Sequence, residues 1–577
     1  MKNFGSITLV IISILFAVSS CKKPKTNGDG ILNVPLSGEV STLDPANSYD
    51  TISASIVYQC YEQLFEYHYL KRPYTLQPLL SDGMPKVENN GKRYIIKIKK
   101  GVSYHDDPAF GGKERFVKAQ DFITQIKRLA FLPTRSNGWW LFDGKIKGLN
   151  DFRKTVGSDF EKFKTTKIEG LTAKDDHTLV IDLIEAYPQM IYTLAMSFTS
   201  PVPLEVVEKY ENRLNTKIVG TGPFRLDEWK ASSRLTLKRY PKYREAFYPR
   251  QGDRMANSRN LLEDAGKQIP FLDTVQYHVI KEAQTRWLNF RSKKIDLLIV
   301  PKDNFRTAID PSGKITSDLS KEGIKLQTFP TLTYWWLSFN MKDPILGKNR
   351  NLRLAIAHAI DVDRYIELFT NNTGQRANSI YPPGIPGYDA AAELPYEYNL
   401  EKARKFLAEA GYPEGKGLEV LTYDVRGNSA TNRQQADFVK SELAKIGIKI
   451  TEALNTFPGF LEKARKGTLQ FWQDGWAMDY PDAENSLQLL VTKNHSPGPN
   501  STFYANEEFD KLFAKLKLLQ DGPEKFELMK KMEAIIHKDL PWVMQYYSRN
   551  YILFNERLRN YRHSDLIYNN LKYLNIQ

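Results

Sequence analysis

Residues 475–482 read GWAMDYPD, and this stretch says most about how the chain folds and what it binds. It combines a glycine, two aromatic residues, two carboxylates and a proline. The proline ring disfavours a helical conformation at Tyr480, and Gly475 allows another backbone to approach closely. A segment that is aromatic, acidic and kinked at once is typical of the wall of a ligand site. The alternative is a strand that ends in a proline turn with its carboxylates in water.

The composition is that of a large folded protein. A chain of 577 residues is several times as long as a typical domain, so we expect more than one domain. Hydrophobic residues make up 41% and charged residues 26% of the chain, which argues against long disordered regions. The formal charge of +14 comes from lysines and arginines spread along the whole chain, without basic blocks or a nucleic-acid-binding motif. We therefore expect no nucleic acid partner.

The N-terminus predicts export and lipid anchoring. Lys2 precedes an apolar run, residues 4–18, which has the length of a signal-peptide core and is short for a membrane span. Small residues then lead to Cys21, in the pattern of a bacterial lipobox. We interpret residues 1–20 as a lipoprotein signal peptide, Cys21 as the lipidated residue and residues 21–30 as a tether. The body would lie on the periplasmic or cell-surface face of a membrane. An ordinary secretory signal with an incidental cysteine is the alternative.

Hydrophobic periodicity predicts strands and helices in alternation, and hence an α/β fold. The predicted strands include residues 31–36, 94–98 and 448–451. The predicted helices include residues 52–66, 119–130, 352–369, 400–410 and 434–446. The helix over 400–410 has Asn399 as its N-cap and Gly411 after its C-terminus.

The sequence contains no motif of catalytic chemistry. The eight histidines are scattered, and no P-loop, nucleophile elbow, dinucleotide-binding glycines or zinc-binding spacing occurs. Cys60 has no partner nearby in sequence, and His105-Asp106-Asp107 is interpreted as a polar turn. We predict no enzyme, no catalytic residue, no metal and no cofactor. The 9 Trp, 31 Tyr and 30 Phe residues are instead typical of a site that stacks on an extended organic ligand, although most are expected in the core.

Several stretches, in order along the chain, resemble the oligopeptide/dipeptide-binding class of bacterial extracellular solute-binding proteins, the receptor subunits of ABC importers. Besides the lipobox, they are SGEVSTLDP (37–45), VKAQDF (117–122), GTGPF (220–224), RLAIAHAID (353–361) and KARKFLAEAGYP (402–413). Each motif alone is weakly specific, but their ordered set is strongly specific. Together they span residues 31–550.

The resemblance implies a two-lobed α/β fold of the periplasmic-binding-protein type with an extra inserted domain, three domains in all. A hinge would let the lobes close over the ligand. Domain I would comprise residues 31–64, 196–282 and 539–577, domain II residues 65–195, and domain III residues 283–538. The resemblance also implies a monomer that hands its ligand to ABC permease subunits.

The resemblance further implies where a peptide would bind. Asp479 matches the aspartate that pairs with the free α-amino group, and the backbone of Gly475 to Ala477 would pair with the peptide main chain as an added strand does. Trp476 would line a side-chain pocket, while Asp482 looks more like a turn residue. Further predicted ligand contacts are Glu39, Val40 and Ser41 from domain I, and Tyr546.

At the carboxylate end of the ligand the sequence departs from the family. Oligopeptide-binding relatives carry an arginine six residues before the aspartate, where this chain has Gln473. Arg426 resembles the carboxylate-binding arginine of dipeptide-type relatives, and Arg433 is a second candidate. A solvated arginine is the alternative for both, so peptide length stays open.

The predicted function is capture of di- or oligopeptides outside the cytoplasmic membrane and delivery to an ABC permease. A non-peptide solute, such as a metal chelate, an oligosaccharide or an opine-like compound, is the alternative within the same fold. Asp479 favours an amine-bearing ligand over these. A surface lipoprotein hydrolase or an adhesin is the alternative from another class, and no motif supports either.

Overall fold

The computed structural model describes residues 30–428, 430–496 and 498–577. The predicted signal peptide and Cys21 lie outside these ranges. Within them, no helix is both long enough and apolar enough to cross a membrane.

The strands lie in several separate sheets. In chain order they are β1 (Ile31–Leu36), β2 (Phe65–Tyr67), β3 (Leu76–Pro78), β4 (Lys86–Glu88), β5 (Arg93–Lys97), β6 (Leu171–Asp175), β7 (Thr178–Asp182), β8 (Phe224–Lys230), β9 (Arg234–Arg239), β10 (Thr274–Val279), β11 (Leu297–Ile299), β12 (Ile324–Phe339), β13 (Gln375–Arg376), β14 (Leu421–Val425), β15 (Ile450–Leu454), β16 (Phe471–Ala477), β17 (Trp542–Asn555), β18 (Leu558–Arg559) and β19 (Asn575–Ile576).

Helices cover or connect these sheets. The α-helices are α1 (Thr51–Cys60), α2 (Ala119–Ala130), α3 (Leu149–Val156), α4 (Phe160–Thr165), α5 (Met190–Thr193), α6 (Leu204–Lys209), α7 (Arg254–Ser258), α8 (Ala283–Arg291), α9 (Phe305–Ala308), α10 (Ser317–Lys321), α11 (Arg350–Ala359), α12 (Val362–Thr370), α13 (Leu400–Glu409), α14 (Ala430–Ala444), α15 (Phe457–Lys466), α16 (Glu484–Leu487), α17 (Glu507–Leu516) and α18 (Pro523–Asp539). Short 3₁₀-helices lie at Pro108–Phe110, Leu132–Thr134, Trp139–Leu141, Ser197–Thr199, Lys302–Asn304, Pro413–Gly415, Gln488–Leu490, Thr492–Asn494 and Asn570–Tyr573.

The amino-terminal lobe, residues 30–280, contains two four-stranded sheets. One has the order β1-β10-β9-β8, with β1 parallel to β10 and the other pairs antiparallel. The other is antiparallel throughout and has the order β4-β5-β7-β6. Leu571 and Leu574 of the C-terminal segment are buried in the same core as Leu32 and Ile96, so the end of the chain packs onto this lobe.

The carboxyl-terminal lobe, residues 281–555, is built on one seven-stranded sheet with the order β11-β17-β12-β16-β14-β15, and β13 also pairs with β17. Its antiparallel strands β12 and β17 are 16 and 14 residues long. At one end, Ile552 and Phe554 of β17 are buried in the core of the amino-terminal lobe. The register of β12 on β17 shifts between Pro330 and Tyr334, and such irregularities bend strands. These two long strands therefore join the lobes.

A buried ion pair fixes the loop that follows β1. Arg128 in the last turn of α2 donates from Nη2 to Asp44 Oδ2 at 2.6 Å and from Nη1 to Oδ1 at 3.0 Å. Both side chains are almost fully buried. A bidentate pair of this kind is geometrically specific, and its loss would leave an uncompensated buried charge. The loop therefore has a defined position, and it carries Tyr49 towards the other lobe.

The α/β fold class is confirmed, and several predicted elements match closely. Strand β1 has the predicted bounds 31–36, and α2 has the predicted bounds 119–130. The helix predicted over 400–410 ends one residue early, and the Asn399 side chain accepts hydrogen bonds from the first-turn N–H groups as an N-cap.

Two predicted helices were wrong in extent. The helix predicted over 352–369 is two helices, α11 and α12, because Ile360 is extended and the Asp361 side chain caps α12 by accepting the Arg364 N–H. The helix predicted over 52–66 ends at Cys60, whose carbonyl accepts the Gly222 N–H at 2.9 Å. The Cys60 carbonyl thus accepts a hydrogen bond from a distant loop, whereas in a longer helix it would accept one from the following turn.

The same contact explains the glycines of residues 220–224. A Cβ atom at Gly220 would lie 2.0 Å from the Cys60 carbonyl oxygen, and one at Gly222 would lie 2.6 Å from the Gln59 carbonyl oxygen. Both obstacles are backbone atoms, so neither can move aside cheaply. The motif therefore packs a loop directly against the end of α1.

We predict that Gly220→Ala destabilises the protein, because overpacking against backbone costs roughly 1–3 kcal/mol. The midpoint of thermal unfolding should fall by several degrees. Gly522→Ala is the matched control, because a Cβ there meets nothing within 4 Å. Equal midpoints for the two variants would contradict this account of the motif.

Candidate functional site

Strand β16, which contains the first residues of the stretch 475–482, has one edge that is largely unpaired. We call it the open edge. Strand β16 pairs with β12 along its whole length, but with β14 only at Phe471 and Trp472. Among the described residues, no strand pairs with the second edge of β16 beyond Trp472. The Met478 N–H donates to the Leu332 carbonyl at 3.1 Å. Because hydrogen-bonded and non-hydrogen-bonded pairs alternate in antiparallel sheets, Gly475 and Ala477 direct their N–H and C=O groups to the open edge.

Gly475 is required here by close packing. A Cβ atom at this position would lie 2.5 Å from Cε3 of Trp335, its cross-strand neighbour on β12. The Gly475 N–H donates to Asp474 Oδ1 at 2.9 Å, so a ligand main chain would replace that carboxylate as acceptor. An extended ligand could hydrogen-bond to this edge as an additional strand.

Asp479 lies just beyond the open edge and is held by neutral donors. Asn485 Nδ2 donates to Asp479 Oδ2 at 3.2 Å, and the Tyr49 hydroxyl donates to Oδ1 at 3.2 Å. Asn485 is fully buried, and its Oδ1 also accepts the Asp479 N–H at 3.1 Å and Trp476 Nε1 at 2.9 Å. One buried amide therefore orients both the carboxylate and the indole.

The carboxylate of Asp479 has no cationic partner within ion-pair distance in the part of the chain that the structure describes. Removal from water raises the pKa of Asp479 to about 6, against the lowering effect of the hydrogen bonds from Asn485 and Tyr49. The charge of Glu484 adds to the increase. The site therefore offers a negative charge that a cation can stabilise.

Tyrosines from the amino-terminal lobe and from the C-terminal segment that packs onto it surround this charge. Burial, and in addition the charge of Asp479, raise the pKa of Tyr49, Tyr58, Tyr67 and Tyr568. Tyr58 stacks on Tyr568 with ring centroids 5.2 Å apart. Tyr49 is 42% exposed, and its hydroxyl contact with Asp479 joins the two lobes across the site.

The predicted contacts from the loop after β1 are exposed or half-buried. Glu39 is exposed and pairs with Lys281 at 2.6 Å, and the Lys281 side chain lowers the pKa of Glu39. The exposed Ser41 donates to Asp50 Oδ2 at 2.5 Å, beside the start of α1. Val40 packs against the core. Their roles as ligand contacts stay predictions.

Gln473 and Tyr546 lie on the face of the seven-stranded sheet that carries Trp335. Gln473 Nε2 donates to Gln545 Oε1 at 2.6 Å and to the Tyr365 hydroxyl at 3.0 Å. Tyr546 is buried, and its ring stacks on that of Trp335 with ring centroids 6.1 Å apart. Gln473 and Tyr546 are thus held within the carboxyl-terminal lobe.

The two arginine candidates differ in environment. Arg426 Nη1 lies 3.4 Å from Asp474 Oδ1, and its guanidinium carbon lies 5.3 Å from the centroid of the Trp335 ring. Arg433 is exposed on α14. Arg426 therefore lies beside the open edge of β16, next to the Asp474 carboxylate that accepts the Gly475 N–H.

Sequence reasoning missed Tyr49 and Asn485. Tyr49 lies 430 positions from Asp479, and nothing local marks it as a partner. Asn485 has no clear local signal, since it stands between Glu484 and Ser486, and only its burial in the fold shows that its amide needs partners.

Comparison with known proteins places this chain in a family. A family model described as bacterial extracellular solute-binding proteins, family 5 middle, matches residues 75–498. Heme-binding protein A of Haemophilus influenzae is 23% identical, over 92% of this chain and 89% of that protein. The oligopeptide-binding protein AppA of Bacillus subtilis is 25% identical, over 95% and 91%.

A solved structure shows the same fold over nearly the whole length. The ABC transporter-associated periplasmic binding protein DppA from Helicobacter pylori, in complex with the peptide STSA, has a TM-score of 0.73 and is 26% identical. The alignment covers 95% of this chain and 98% of that one. The two-lobed architecture predicted from the sequence is therefore confirmed.

We predict that Asp479→Asn stabilises the ligand-free protein at pH 7.5. Because the pKa of Asp479 in the folded chain, about 6, exceeds that of an unfolded aspartate, the contribution of this group to stability is fully present below the unfolded pKa and is lost as the pH rises through 6. The neutral amide does not titrate. The thermal unfolding midpoint of the variant should exceed that of the wild type above pH 6, and the two midpoints should become equal below pH 4. A constant difference between the two proteins at all pH values would contradict the raised pKa.

Proposed function

The chain belongs to the bacterial extracellular solute-binding proteins, family 5, and on that basis we propose that it captures peptides outside the cytoplasm and delivers them to an ABC permease. The related proteins are binding proteins, and two of them are named for oligopeptides or solved with a bound peptide. The proposal for this chain rests on its own site, in particular on Asp479.

We rest this proposal on one observation, a half-buried carboxylate around which the described residues place only neutral donors. Hydrogen bonds from Asn485 and Tyr49 orient the Asp479 carboxylate without neutralising it. The α-ammonium of a peptide supplies the missing positive charge and three N–H donors. A non-peptide solute without an amine would leave this charge unpaired in a site shielded from water, which is costly.

The open edge of β16 supports an extended ligand rather than a compact one. Counted from Asp479, Ala477 and Gly475 direct backbone groups to that edge at two-residue intervals. A peptide whose ammonium reaches Asp479 can continue along these groups by main-chain hydrogen bonds, which do not depend on its side chains. Trp476, half-buried beside Asn485, supplies an apolar surface for one ligand side chain. This arrangement favours tolerance of peptide sequence.

Binding is coupled to closure of the lobes. The Asp479 carboxylate lies on the carboxyl-terminal lobe, and Tyr49 reaches it from the amino-terminal lobe. A ligand that contacts both sides binds the closed form more tightly and shifts the population towards it. We place the movement in the long strands β12 and β17, at the register shift between Pro330 and Tyr334.

We infer the three-domain division from the sheets. Domain II, residues 65–195, would carry the sheet β4-β5-β7-β6, domain I the sheet β1-β10-β9-β8, and domain III most of the seven-stranded sheet. We further propose a monomer anchored through lipid on Cys21 and without catalytic activity. A tether of about ten residues would keep the body close to its permease.

We predict that Asp479→Asn weakens binding of a free-amine peptide by several kcal/mol, because the ammonium loses its charged partner. Isothermal calorimetry with tetra-alanine measures the effect, and N-acetyl-tetra-alanine is the control ligand. The wild-type protein should bind the acetylated peptide weakly, and the variant should no longer distinguish the two. Unchanged affinity of the variant for tetra-alanine would reject the role of Asp479 and remove the main support for a peptide ligand.

We predict that Arg426 binds the carboxylate end of the ligand, since it lies beside the open edge at Asp474. Arg426→Gln should weaken binding of a free-acid peptide about 10- to 100-fold and leave binding of its C-terminal amide unchanged. Arg433→Gln tests the second candidate, and because Arg433 is exposed on α14 we expect this variant to bind both peptides as the wild type does. Equal affinity of the wild type for the free acid and the amide would show that Arg426 has another role.

A further inference from the structure

A segment of the amino-terminal lobe docks against the turn that follows Asp479. We call residues 185–192 the docking segment and residues 480–485 the turn. Gln189 is buried, and its Nε2 donates to Asp482 Oδ2 at 3.3 Å. The ring of Tyr192 lies parallel to that of Tyr480, with an interplanar angle of 5° and centroids 5.8 Å apart.

Asp482 organises the turn from within. Its carboxylate accepts the Glu484 N–H at 2.9 Å, and its carbonyl accepts the Asn485 N–H at 3.0 Å. The buried Lys525 ammonium lies 2.6 Å from the same carboxylate and compensates its charge. Gln189 therefore contacts the residue that sets where Asn485 lies.

Asn485 transmits this position to the ligand site. It donates to the Asp479 carboxylate and accepts the Asp479 N–H, so any shift of the turn moves the carboxylate with it. A continuous path of hydrogen bonds thus runs from Gln189 through Asp482 and Asn485 to Asp479. Neither Gln189 nor Tyr192 hydrogen-bonds to Asp479 itself.

Charges from both lobes meet at this contact. The buried Glu484 accepts a hydrogen bond from the Tyr480 hydroxyl. Burial lowers the pKa of Lys145 to about 8, and the charge of Glu484 opposes this lowering. The Lys145 ammonium lies 4.2 Å from the centroid of the Tyr187 ring in the docking segment. At the rim, Lys517 of the carboxyl-terminal lobe pairs with Glu185 at 2.9 Å. The contact is therefore specific and not merely apolar.

We propose that Gln189 and Tyr192 are positioning residues for the ligand's amine: docked on the turn, they hold Asp479 where it binds an ammonium group. The inference rests on the proposed function and extends it to a segment predicted to lie in domain II, outside the ligand site. The amine is bound tightly only when this segment is docked, so recognition of the ligand and contact between the lobes are linked.

The test compares two peptides on four variants of the full-length protein. Gln189→Leu removes the hydrogen bond to Asp482 at similar volume, and Tyr192→Leu removes the stacked ring. In calorimetry, both variants should lower the affinity for tetra-alanine about tenfold and change the affinity for N-acetyl-tetra-alanine less than twofold. Tyr192→Phe keeps the ring, and Tyr210→Phe removes a hydroxyl bonded to Asp107 within the amino-terminal lobe, so both should behave as wild type.

An equal loss of affinity for both peptides would overturn the proposal, because it would indicate a general effect on closure of the lobes and not on binding of the amine. Unchanged affinity for both peptides would overturn the proposal as well.

Hydrogen exchange separates this inference from the peptide proposal. In the ligand-free protein, Gln189→Leu should speed exchange of the amides of residues 482–487, whereas Tyr210→Phe should not. If the wild type fails to prefer tetra-alanine over the acetylated peptide, the proposed function fails, and the exchange result alone decides whether Gln189 positions the turn. Unchanged exchange at 482–487 would overturn the positioning role.

Discussion

The site depends on the Asp479 carboxylate, which the fold shields from water and for which the described residues supply no cationic partner. At neutral pH, a pKa of about 6 instead of the usual value near 4 means that the charged form of Asp479 costs roughly 3 kcal/mol in the ligand-free chain. Asn485 and Tyr49 orient the group but leave its charge in place. In the proposed function, a ligand ammonium would offset this cost, and the unpaired charge would favour binding of an amine.

The rest of the architecture brings the surroundings of this charge together. The buried pair Asp44 and Arg128 fixes the loop that carries Tyr49, and the glycines of residues 220–224 fix the end of α1 beside it. On the other side, β16 ends in an open edge directly before Asp479. The docking segment then supports the turn after Asp479 through Gln189. Recognition and contact between the lobes therefore share the same few residues.

The hydrophobic pattern predicted helices well where interactions between neighbouring residues decide where the helix ends. The helix α2 begins and ends as its periodicity indicates, and α13 begins at the predicted Asn399 cap. The pattern failed where a distant group or a cap competes with the helix. The Cys60 carbonyl bonds to Gly222, and Asp361 starts a second helix where one apolar face continues without interruption.

The sequence by itself determined the family and the α/β class, and it singled out Asp479 as a predicted ligand contact, because glycine, proline and carboxylates within a short span carry their chemistry locally. Only the tertiary structure decided what surrounds that carboxylate. Tyr49 and Gln189 come from segments hundreds of residues away, and their contacts with Asp479 and Asp482 leave no periodicity or spacing to detect. The raised pKa likewise depends on burial, which is a property of the packed lobes and not of any stretch of sequence.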